Sequence, residues 1–370
     1  MRVGWVAVLC AVLVTGCSGG PEQAPVPAPP ASSGTGASAG PSAGPGRAAP
    51  DLGAPQEIAT GLDVPWGVTF LPGGDALVAE RGTGRVLQVP ARGGAPTPVY
   101  QVPGVSAQGE GGLLGLAVSP GYAQDGYVYA YFTSGSDNRI VRFKLGPAAP
   151  EVIFSGLAKA GIHNGGRIAF GPDGLLYVGA GDAGQRGLAQ DPKSPNGKIL
   201  RLAPDGRPAP GNPTAGSPVY SLGHRNVQGL AWDSAGRLWA VEFGQDTYDE
   251  VNLIKPGANY GWPVVEGQGD TQGGRFTNPL VVWRTGDASP SGAAIIGDTL
   301  YVAALRGERL WTVPLDGEKT GTPKAELRGR YGRLRTAAAA PDGSLWLTTS
   351  NRDGRGDPKS GDDRILRFAG

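Results

Sequence analysis

Cysteine and histidine are scarce in this chain of 370 residues. The two cysteines, Cys10 and Cys17, both lie near the N-terminus, and the two histidines are His163 and His224. Because no cysteine follows Cys17, we expect no disulfide in the folded domain, and no set of Cys and His residues has the spacing of a zinc site. A Gly-x-Ser-x-Gly turn is absent as well, so the sequence supports neither a zinc enzyme nor a serine hydrolase.

An excess of charge of either sign is also lacking. The 33 basic and 32 acidic residues nearly cancel, which leaves no net electrostatic field to attract nucleic acid or an acidic partner. Helix-forming runs are scarce, whereas 64 glycines and 34 prolines are spread along the chain. This composition predicts many short strands joined by tight turns.

The N-terminal segment, residues 1–17, has the features of a bacterial lipoprotein signal peptide. Arg2 supplies a minimal basic start, and the apolar run Val3–Val14 is too short to span a bilayer. The run ends in Val14-Thr15-Gly16-Cys17, which resembles the motif whose cysteine is lipidated after cleavage. We therefore expect Cys17 to anchor an exported, extracytoplasmic protein to the bacterial cell membrane. The alternative is an ordinary signal peptide with an incidental cysteine.

The next segment, residues 18–50, is rich in Pro, Ala, Gly and Ser and cannot bury enough apolar surface to fold. It is predicted to be a disordered tether, so that the lipid anchor is the only contact with the membrane. Residues 51–370 then form one domain. Its length exceeds the usual size of a single core but suits a radially repeated fold.

Two short apolar strands around a Pro, Asp or Gly turn recur six times in this domain. Each copy alternates with the period of two of a half-buried strand, and its turn residues suit tight hairpins. The copies are Val68–Val78, Leu116–Tyr131, Ile168–Val178, Leu230–Val241, Ala293–Ala303 and Ala337–Leu347. The sequence therefore predicts an all-β protein, a six-bladed β-propeller with four-stranded antiparallel blades.

The outer strands of the blades are predicted from later runs that close each repeat. These runs are Arg85–Val89, Arg139–Leu145, Lys198–Leu202, Glu250–Ile254, Arg309–Val313 and Arg364–Phe368. We expect the segment Glu57–Ala59 to pair with the last blade and close the ring, which removes an exposed sheet edge. A β-sandwich is the alternative fold, although its strands recur every ~8 to 12 residues without this longer period.

Residues with binding chemistry are concentrated in the segment Gly223–Pro263. Arg225 and Asn226 place a guanidinium beside an amide, which together offer planar donors for carboxylates or carbonyls. Carboxylates cluster at Asp246–Glu250, and such oxygens are the ligands that Ca²⁺ prefers, although the spacing is not that of an EF-hand. The segment therefore predicts an anion site next to a cation site.

The order of these residues resembles the glucose/sorbosone dehydrogenases, a family of quinoproteins that use pyrroloquinoline quinone (PQQ) with Ca²⁺. Three further segments fit the same family. Gly109–Gly115 resembles its first motif, His163–Arg167 its histidine motif, and Arg333–Arg335 its late arginine pair. The resemblance extends from about Glu57 to Phe368.

The resemblance implies a role for each matching residue. His163 corresponds to the general base for the anomeric hydroxyl of the sugar, a task that suits imidazole near neutral pH. Arg225 corresponds to a residue that stabilises negative charge on the cofactor oxygen, and a salt bridge to a neighbouring blade is the alternative. His224 is expected to be structural. The implied cofactor-binding residues are Glu110, Asn164, Arg225, Asn226, Arg306, Arg333 and Arg335.

The implied cofactor-binding residues differ in how well their side chains suit an anionic cofactor. PQQ carries three carboxylates, and Arg333 and Arg335 alternate on one strand face, as bidentate carboxylate ligands do. Arg306 stands where the family usually has a lysine. Glu110 departs from the commoner glutamine, and a carboxylate beside an anionic cofactor is unfavourable unless it is protonated or paired. Asn164 is expected to contribute near the base.

The resemblance also implies two calcium sites. One uses backbone oxygens to hold the ion that polarises PQQ, and the other uses a glutamate and a tyrosine carbonyl to hold a structural ion, with two aspartates as further candidates. A solvated loop is the alternative interpretation of these acids. The candidate ligands are Gly244 and Gln245 for the first ion and Glu250 and Tyr260 for the second. Asp249 and Asp270 are the further candidates.

Together these expectations describe an exported PQQ- and Ca²⁺-dependent aldose sugar dehydrogenase, a quinoprotein oxidoreductase acting on the CH–OH group of sugars. It is expected to oxidise the C1 hydroxyl of an aldose to a lactone, with hydride passing to PQQ, His163 as base and an external electron acceptor. Two other classes stay open. One is a calcium-dependent lactonase on the same fold, and the other is a non-catalytic propeller that binds a glycan or protein.

The string Gly179–Gly184 satisfies the dinucleotide-binding pattern G-x-G-x-x-G. However, proline and glycine occupy the following stretch up to Lys198, where the pattern requires a crossover helix. We therefore interpret it as a blade turn.

Overall fold

The structure, a computed structural model, describes residues 48–370. The predicted signal peptide, Cys17 and residues 18–47 of the predicted tether lie outside the described residues. Between residues 48 and 370 no helix is long and apolar enough to cross a membrane. Helical structure in this range consists of α1 (Tyr122–Asp125) and one 3-10 turn (Arg186–Ala189).

The described chain consists mainly of β-strands. In chain order they are β1 (Gln56–Ala59), β2 (Pro65–Phe70), β3 (Ala76–Glu80), β4 (Arg85–Val89), β5 (Thr97–Gln101), β6 (Leu113–Val118), β7 (Tyr127–Thr133), β8 (Asn138–Lys144), β9 (Glu151–Leu157), β10 (Ile168–Phe170), β11 (Leu176–Ala180), β12 (Lys198–Leu202), β13 (Val219–Leu222), β14 (Val227–Trp232), β15 (Leu238–Glu242), β16 (Tyr248–Ile254), β17 (Val281–Arg284), β18 (Pro290–Ile296), β19 (Thr299–Ala304), β20 (Arg309–Asp316), β21 (Lys319–Thr320), β22 (Lys324–Glu326), β23 (Leu334–Ala339), β24 (Leu345–Thr349) and β25 (Ile365–Phe368).

The strands form six antiparallel sheets, five with four strands and one with five. In chain order the blades are β2-β3-β4-β5, β6-β7-β8-β9, β10-β11-β12-β13, β14-β15-β16-β17, β18-β19-β20 with β21 and β22, and β23-β24-β25-β1. Each of the six repeated segments supplies the first two strands of one blade. The predicted six-bladed propeller is therefore confirmed, and the sandwich alternative is wrong.

The ring closes as the sequence predicts. Strand β1 pairs antiparallel with β25, with Glu57 opposite Leu366 and Ala59 opposite Ile365. The sixth blade therefore combines the N-terminal strand with the last strands of the chain, and a Glu57–Arg364 ion pair of 2.7 Å reinforces this junction. Closure leaves no open edge at the ends of the ring.

The runs predicted as outer strands are third strands in all six blades, so that part of the prediction is wrong. Runs such as Arg85–Val89 and Lys198–Leu202 are third strands, and a further strand pairs outside each of them. These outer strands are β5, β9, β13, β17, β22 and, in the sixth blade, β1, whose pairing the sequence predicts. Most of them, such as β9, are half-exposed and lack the apolar alternation that identifies inner strands, although β17 buries Val281 and Trp283 alternately.

Hydrophobic clusters between neighbouring blades form the core. The cluster between the second and third blades, for example, packs Leu114 and Tyr131 against Ile168 and Val178, all almost fully buried. Near the axis the inner strands come too close for a side chain. A Cβ on Gly292 of β18 would lie 2.6 Å from the Cα of Thr336 on β23. Glycine there allows the blades to converge on the axis.

The turn Gly179–Gly184 joins β11 to β12, which run antiparallel. A dinucleotide-binding crossover would require parallel strands. The interpretation as a blade turn is confirmed.

Candidate active site

A cavity of about 400 Å³ opens where the loops of five blades meet near the axis. Its wall combines a tryptophan and other neutral residues with a dense set of charged side chains. The lining residues are Trp66, Arg81, Gly109, Glu110, Gln228, Phe243, Ser289, Leu305, Arg306, Arg333, Arg335, Asp353 and Arg355. Four predicted cofactor-binding residues, Glu110, Arg306, Arg333 and Arg335, therefore share this cavity.

The inner side of the cavity is a buried aromatic and polar layer around Trp66. The guanidinium of Arg167 lies 4.2 Å from the Trp66 ring centroid, and that of Arg335 lies 5.9 Å from it. Arg335 Nη1 donates to the side chain of Gln228 at 3.1 Å, while Arg167 Nε donates to the Gln228 carbonyl at 2.7 Å. These contacts join the first, third, fourth and sixth blades around the axis and make this layer rigid.

The charge of the cavity is strongly positive. Five arginines and two carboxylates line it, which leaves three positive charges. Asp353 pairs with Arg333 at 3.0 Å and with Arg335 at 3.5 Å. Arg81 and Arg306 form no ion pair within residues 48–370, so their guanidinium groups are available to an anionic ligand.

These arginines stay charged despite their burial. Burial, together with nearby Arg81, lowers the pKa of Arg335 to about 9. Burial also lowers the pKa of Arg81. Burial alone would raise the pKa of Asp353, but Arg333 and Arg335 outweigh it and hold this pKa below its usual range. The cavity therefore keeps its positive charge at neutral pH.

His163 is held by a buried carboxylate that the sequence interpretation did not identify. Its Nδ1–H donates to Asp182 Oδ1 at 2.7 Å, and Asp182 Oδ2 accepts from Trp262 Nε1 at 2.8 Å. Burial would raise the pKa of Asp182, but the hydrogen bonds from His163, Trp262 and the Gly184 N–H outweigh it and lower this pKa. His163 Nε2 forms no hydrogen bond to any described residue and is therefore free to accept a proton.

His163 does not line the cavity itself, but it contacts a residue that does. Its backbone N–H donates to the cavity residue Glu110 at 3.0 Å. Glu110 also pairs with Arg355 at 2.9 Å, so its carboxylate is paired, as the sequence argument requires. The neighbouring Asn164 is buried, and its amide bonds to Asn138 and to the backbone of Ala160. Asn164 therefore stabilises the turn between Ala160 and His163.

Arg225 and Asn226 lie beside the cavity residue Phe243. Arg225 donates to the Phe243 carbonyl at 3.2 Å and from Nη2 to the side chain of Gln245 at 2.8 Å. Within the described part of the chain its side chain forms no ion pair, contrary to the salt-bridge alternative. Asn226 accepts the Gly165 N–H at 3.0 Å, whereas its buried Nδ2 has no hydrogen-bond partner among residues 48–370. That Nδ2 can donate to a ligand.

The loop at Gly244 and Gln245 is fixed by Glu266, a second residue that the sequence interpretation missed. Glu266 Oε1 accepts four successive backbone N–H groups, of Gln245, Asp246, Thr247 and Tyr248, at 2.8 to 3.1 Å. Asp249 holds the start of this loop by accepting the Gly244 N–H at 2.9 Å. Burial raises the pKa of Asp249 to about 6. The loop backbone is thus held from two sides.

Glu250 lies in a buried carboxylate pair. It stands directly opposite Glu242 in the register of β15 and β16. Burial and the nearby Glu242 charge raise the pKa of Glu250 to about 8. Tyr260 is close to this pair, since its ring stacks on His224, which bonds to Glu242 at 2.7 Å. Asp270, in contrast, lies exposed in a turn, where it accepts the Gln272 N–H.

Between residues 48 and 370 no three His, Cys, Asp or Glu side chains form a cluster able to hold a metal ion. The predicted calcium sites draw several ligands from backbone oxygens, so the side-chain clusters do not test them. His224 is fully buried between Ser221 and Glu242, which suits its expected structural role.

The chain is similar to known sugar dehydrogenases in sequence and in structure. A family model described as glucose/sorbosone dehydrogenase matches residues 62–366. The aldose sugar dehydrogenase YliI of Escherichia coli (strain K12) is 29% identical over 332 residues, which cover 79% of this chain and 89% of that protein. Quinoprotein glucose dehydrogenase B of Acinetobacter calcoaceticus is 33% identical over 260 residues, which cover 60% of this chain and 54% of that protein. The solved PQQ-bound aldose sugar dehydrogenase of Streptomyces coelicolor is 56% identical, covers 87% of this chain and 99% of its own, and gives a TM-score of 0.82.

Proposed function

The chain belongs to the glucose/sorbosone dehydrogenase family, and from this premise we propose that it is a PQQ-dependent dehydrogenase that oxidises the C1 hydroxyl of an aldose to a lactone. The observation that carries the proposal is the position of a strongly cationic cavity one contact away from the His163–Asp182 pair. The relatives named as aldose or glucose dehydrogenases support the same substrate class. Electrons then pass to an external acceptor.

The residues present fit PQQ. The three positive charges that remain on the cavity wall match the three carboxylates of that cofactor. Arg81 and Arg306 are free of ion pairs in the described chain, and the buried Nε of Arg335 has no hydrogen-bond partner. Arg81, Arg306, Arg333 and Arg335 would hold the carboxylates, and Asn226 Nδ2 would donate to a cofactor oxygen.

When bound, PQQ supplies an electrophilic quinone carbonyl that accepts a hydride. Oxidation of an aldose to a lactone releases one hydride and one proton, and His163 takes the proton at Nε2. Asp182 keeps the Nδ1–H in place and stabilises the resulting imidazolium. Arg225 provides a fixed positive charge where negative charge develops, and burial makes that charge more effective.

We also propose that Ca²⁺ binds beside this cavity. Gly244 and Gln245 would offer backbone oxygens from the loop that Glu266 holds rigid. Glu250, with the Tyr260 carbonyl, would hold a second ion, because a cation relieves the repulsion between Glu250 and Glu242 that raises the pKa of Glu250. Asp249 supports the first of these loops by binding the Gly244 N–H.

A reconstitution assay tests the proposal. Chelated, PQQ-free protein is expected to show no aldose-dependent dye reduction and to recover it only when PQQ and Ca²⁺ are added together. Full activity in the absence of both would refute the assignment. Lactone hydrolysis without PQQ would support the lactonase alternative, and neither activity would support a binding propeller. Addition of each component alone is the matched control.

The protein is further proposed to be exported and anchored at Cys17, on the basis of the motif Val14-Thr15-Gly16-Cys17. Cys17→Ala removes the thiol that carries the lipid, so exported protein is expected in the soluble fraction instead of the membrane fraction. Fractionation followed by immunoblotting measures this. The control is Ser18→Ala, which keeps the thiol and should stay with the membrane. Unchanged membrane retention of Cys17→Ala would contradict the anchor.

A further inference from the structure

Glu110 connects three loops that are far apart in the sequence. Its Oε2 accepts the backbone N–H of His163 at 3.0 Å, and its Oε1 accepts from Arg355 Nη1 at 2.9 Å. Its own backbone N–H donates to the Gly161 carbonyl at 2.9 Å. The turn at Gly109 and Glu110, in the second blade, is thus bonded both to the turn that carries the base and to the C-terminal loop at Arg355.

The turn that carries His163 needs such support because its backbone is strained. His163 has a φ of +54°, in the left-handed region that residues other than glycine seldom adopt. On one side the His163 carbonyl accepts the Ala183 N–H at 3.1 Å. On the other side the His163 N–H is bound by Glu110. The orientation of the imidazole therefore depends on both neighbours.

The two ends of this connection differ in exposure. The Glu110 side chain is 17% exposed, whereas the Arg355 side chain is 57% exposed. The bond to His163 is therefore the sheltered one, and the bond to Arg355 lies at the cavity mouth, where solvent weakens it. Arg355 binds Oε1 of Glu110 and leaves Oε2 directed towards the turn that carries His163.

We propose that Glu110 is a positioning residue that fixes the backbone of the His163 turn and couples it to the Arg355 loop. Both of its oxygens are engaged by the protein, which differs from the direct cofactor contact implied by family resemblance. The link to catalysis rests on the proposed function, in which His163 is the base. The hydrogen-bonded connection itself does not depend on that function.

Selective labelling makes the connection measurable without cofactor. Untagged protein labelled with ¹⁵N-histidine should give two backbone amide signals, because the chain contains two histidines. The amide of buried His224, which donates to the Gly197 carbonyl at 3.1 Å, serves as the internal reference for folding. The signal lost in His163→Gln identifies His163. Hydrogen exchange of the His163 amide then reports on the bond to Glu110.

Glu110→Ala is expected to accelerate exchange of the His163 amide by about 10- to 100-fold, the factor that corresponds to a charge-assisted hydrogen bond. Exchange of the His224 amide should stay at the parental rate. Glu110→Gln retains an acceptor oxygen and should restore most of the protection. Arg355→Gln should give an intermediate acceleration, because Glu110 then keeps its bond to His163 but loses its ionic partner.

Glu318→Gln is the matched control. It removes an ion pair of the same length, Lys255–Glu318 at 2.9 Å, on the outer surface, and should leave both amides unchanged. Parental exchange of the His163 amide in Glu110→Ala would overturn the proposal, as would equal exchange in Glu110→Ala and Glu110→Gln.

The same variants are then assayed for aldose-dependent reduction of PQQ, which separates the two proposals. A loss of rate in Glu110→Ala that Glu110→Gln largely restores supports the positioning role in catalysis. If the parent protein reduces no PQQ but Glu110→Ala still accelerates hydrogen exchange of the His163 amide, the proposed function is refuted. The hydrogen-bonded connection through Glu110 is then still supported. If the parent protein is active and Glu110→Ala exchanges the His163 amide at the parental rate, only the positioning role of Glu110 is refuted.

Discussion

His163→Ala is expected to lower the rate at which an aldose reduces the bound cofactor by about 10²- to 10⁴-fold, the usual contribution of a positioned general base. The imidazole is held almost fully buried, with Nδ1–H bonded to Asp182 at 2.7 Å, so its Nε2 is the proton acceptor that the substitution removes. Cofactor affinity should change little, because the cavity arginines stay in place. Single-turnover reduction rates and PQQ dissociation constants measure the two effects separately.

Added imidazole provides the control for this variant. It should restore part of the rate of His163→Ala, because a small base can enter the space left by the side chain, and it should not affect the parent protein. A His163→Ala protein that reduces bound PQQ at the parental rate would remove this histidine from catalysis. That result would favour the binding-propeller alternative.

Asp182→Asn is expected to lower the same rate by about 10²- to 10⁴-fold, the scale seen when the carboxylate that orients a catalytic histidine is replaced. Asp182 accepts hydrogen bonds from His163 Nδ1, from Trp262 Nε1 and from the Gly184 N–H. An asparagine cannot accept all three, because its NH₂ group must face a donor. The imidazole then loses its fixed orientation and the charge that stabilises its protonated form.

Trp262→Phe is the comparison for this second prediction. It removes one donor to Asp182 but leaves the carboxylate and its bond to His163, so a smaller loss of rate is expected. Thermal unfolding of each variant, followed by circular dichroism, shows whether the fold persists. Equal rates for Asp182→Asn and the parent, in folded protein, would show that the carboxylate does not act through His163.

The repeated hairpins were predictable because their turns are marked by Pro, Asp and Gly between alternating strands. Val68–Val78 and Ala337–Leu347 occupy β2–β3 and β23–β24, as predicted. The half-exposed outer strands carry no such pattern, and β5 even contains Pro98. Their pairing is decided by the neighbouring strand and not by their own residues.

The candidate site was predictable only where a motif marks it. Arg333 and Arg335 stand out as an alternating pair, but Arg81 and Asp353 carry no local signal. They meet in the cavity because ring closure brings the first and the last blade together. Asp182 lies within the glycine-rich turn Gly179–Gly184, whose sequence satisfies a dinucleotide-binding pattern and does not indicate a partner for a histidine. The only sequence signal for the burial of Asp182 is that this turn directly follows a buried strand, β11.

The pairing of β1 with β25 has a consequence for the order in which the protein can form. Of the strands that form the ring, β1 leaves the ribosome first and its partner β25 (Ile365–Phe368) leaves last. The sixth blade cannot be completed, and the ring cannot close, until β25 has been synthesised.

The cavity straddles that junction, with Arg81 on the first blade and Arg333, Arg335 and Asp353 on the last. A nascent chain that stops short of residue 365 has most of its blades but lacks the strand that holds the two ends of the ring together. The cavity can therefore bind an anionic cofactor only after β25 has been synthesised and has paired with β1.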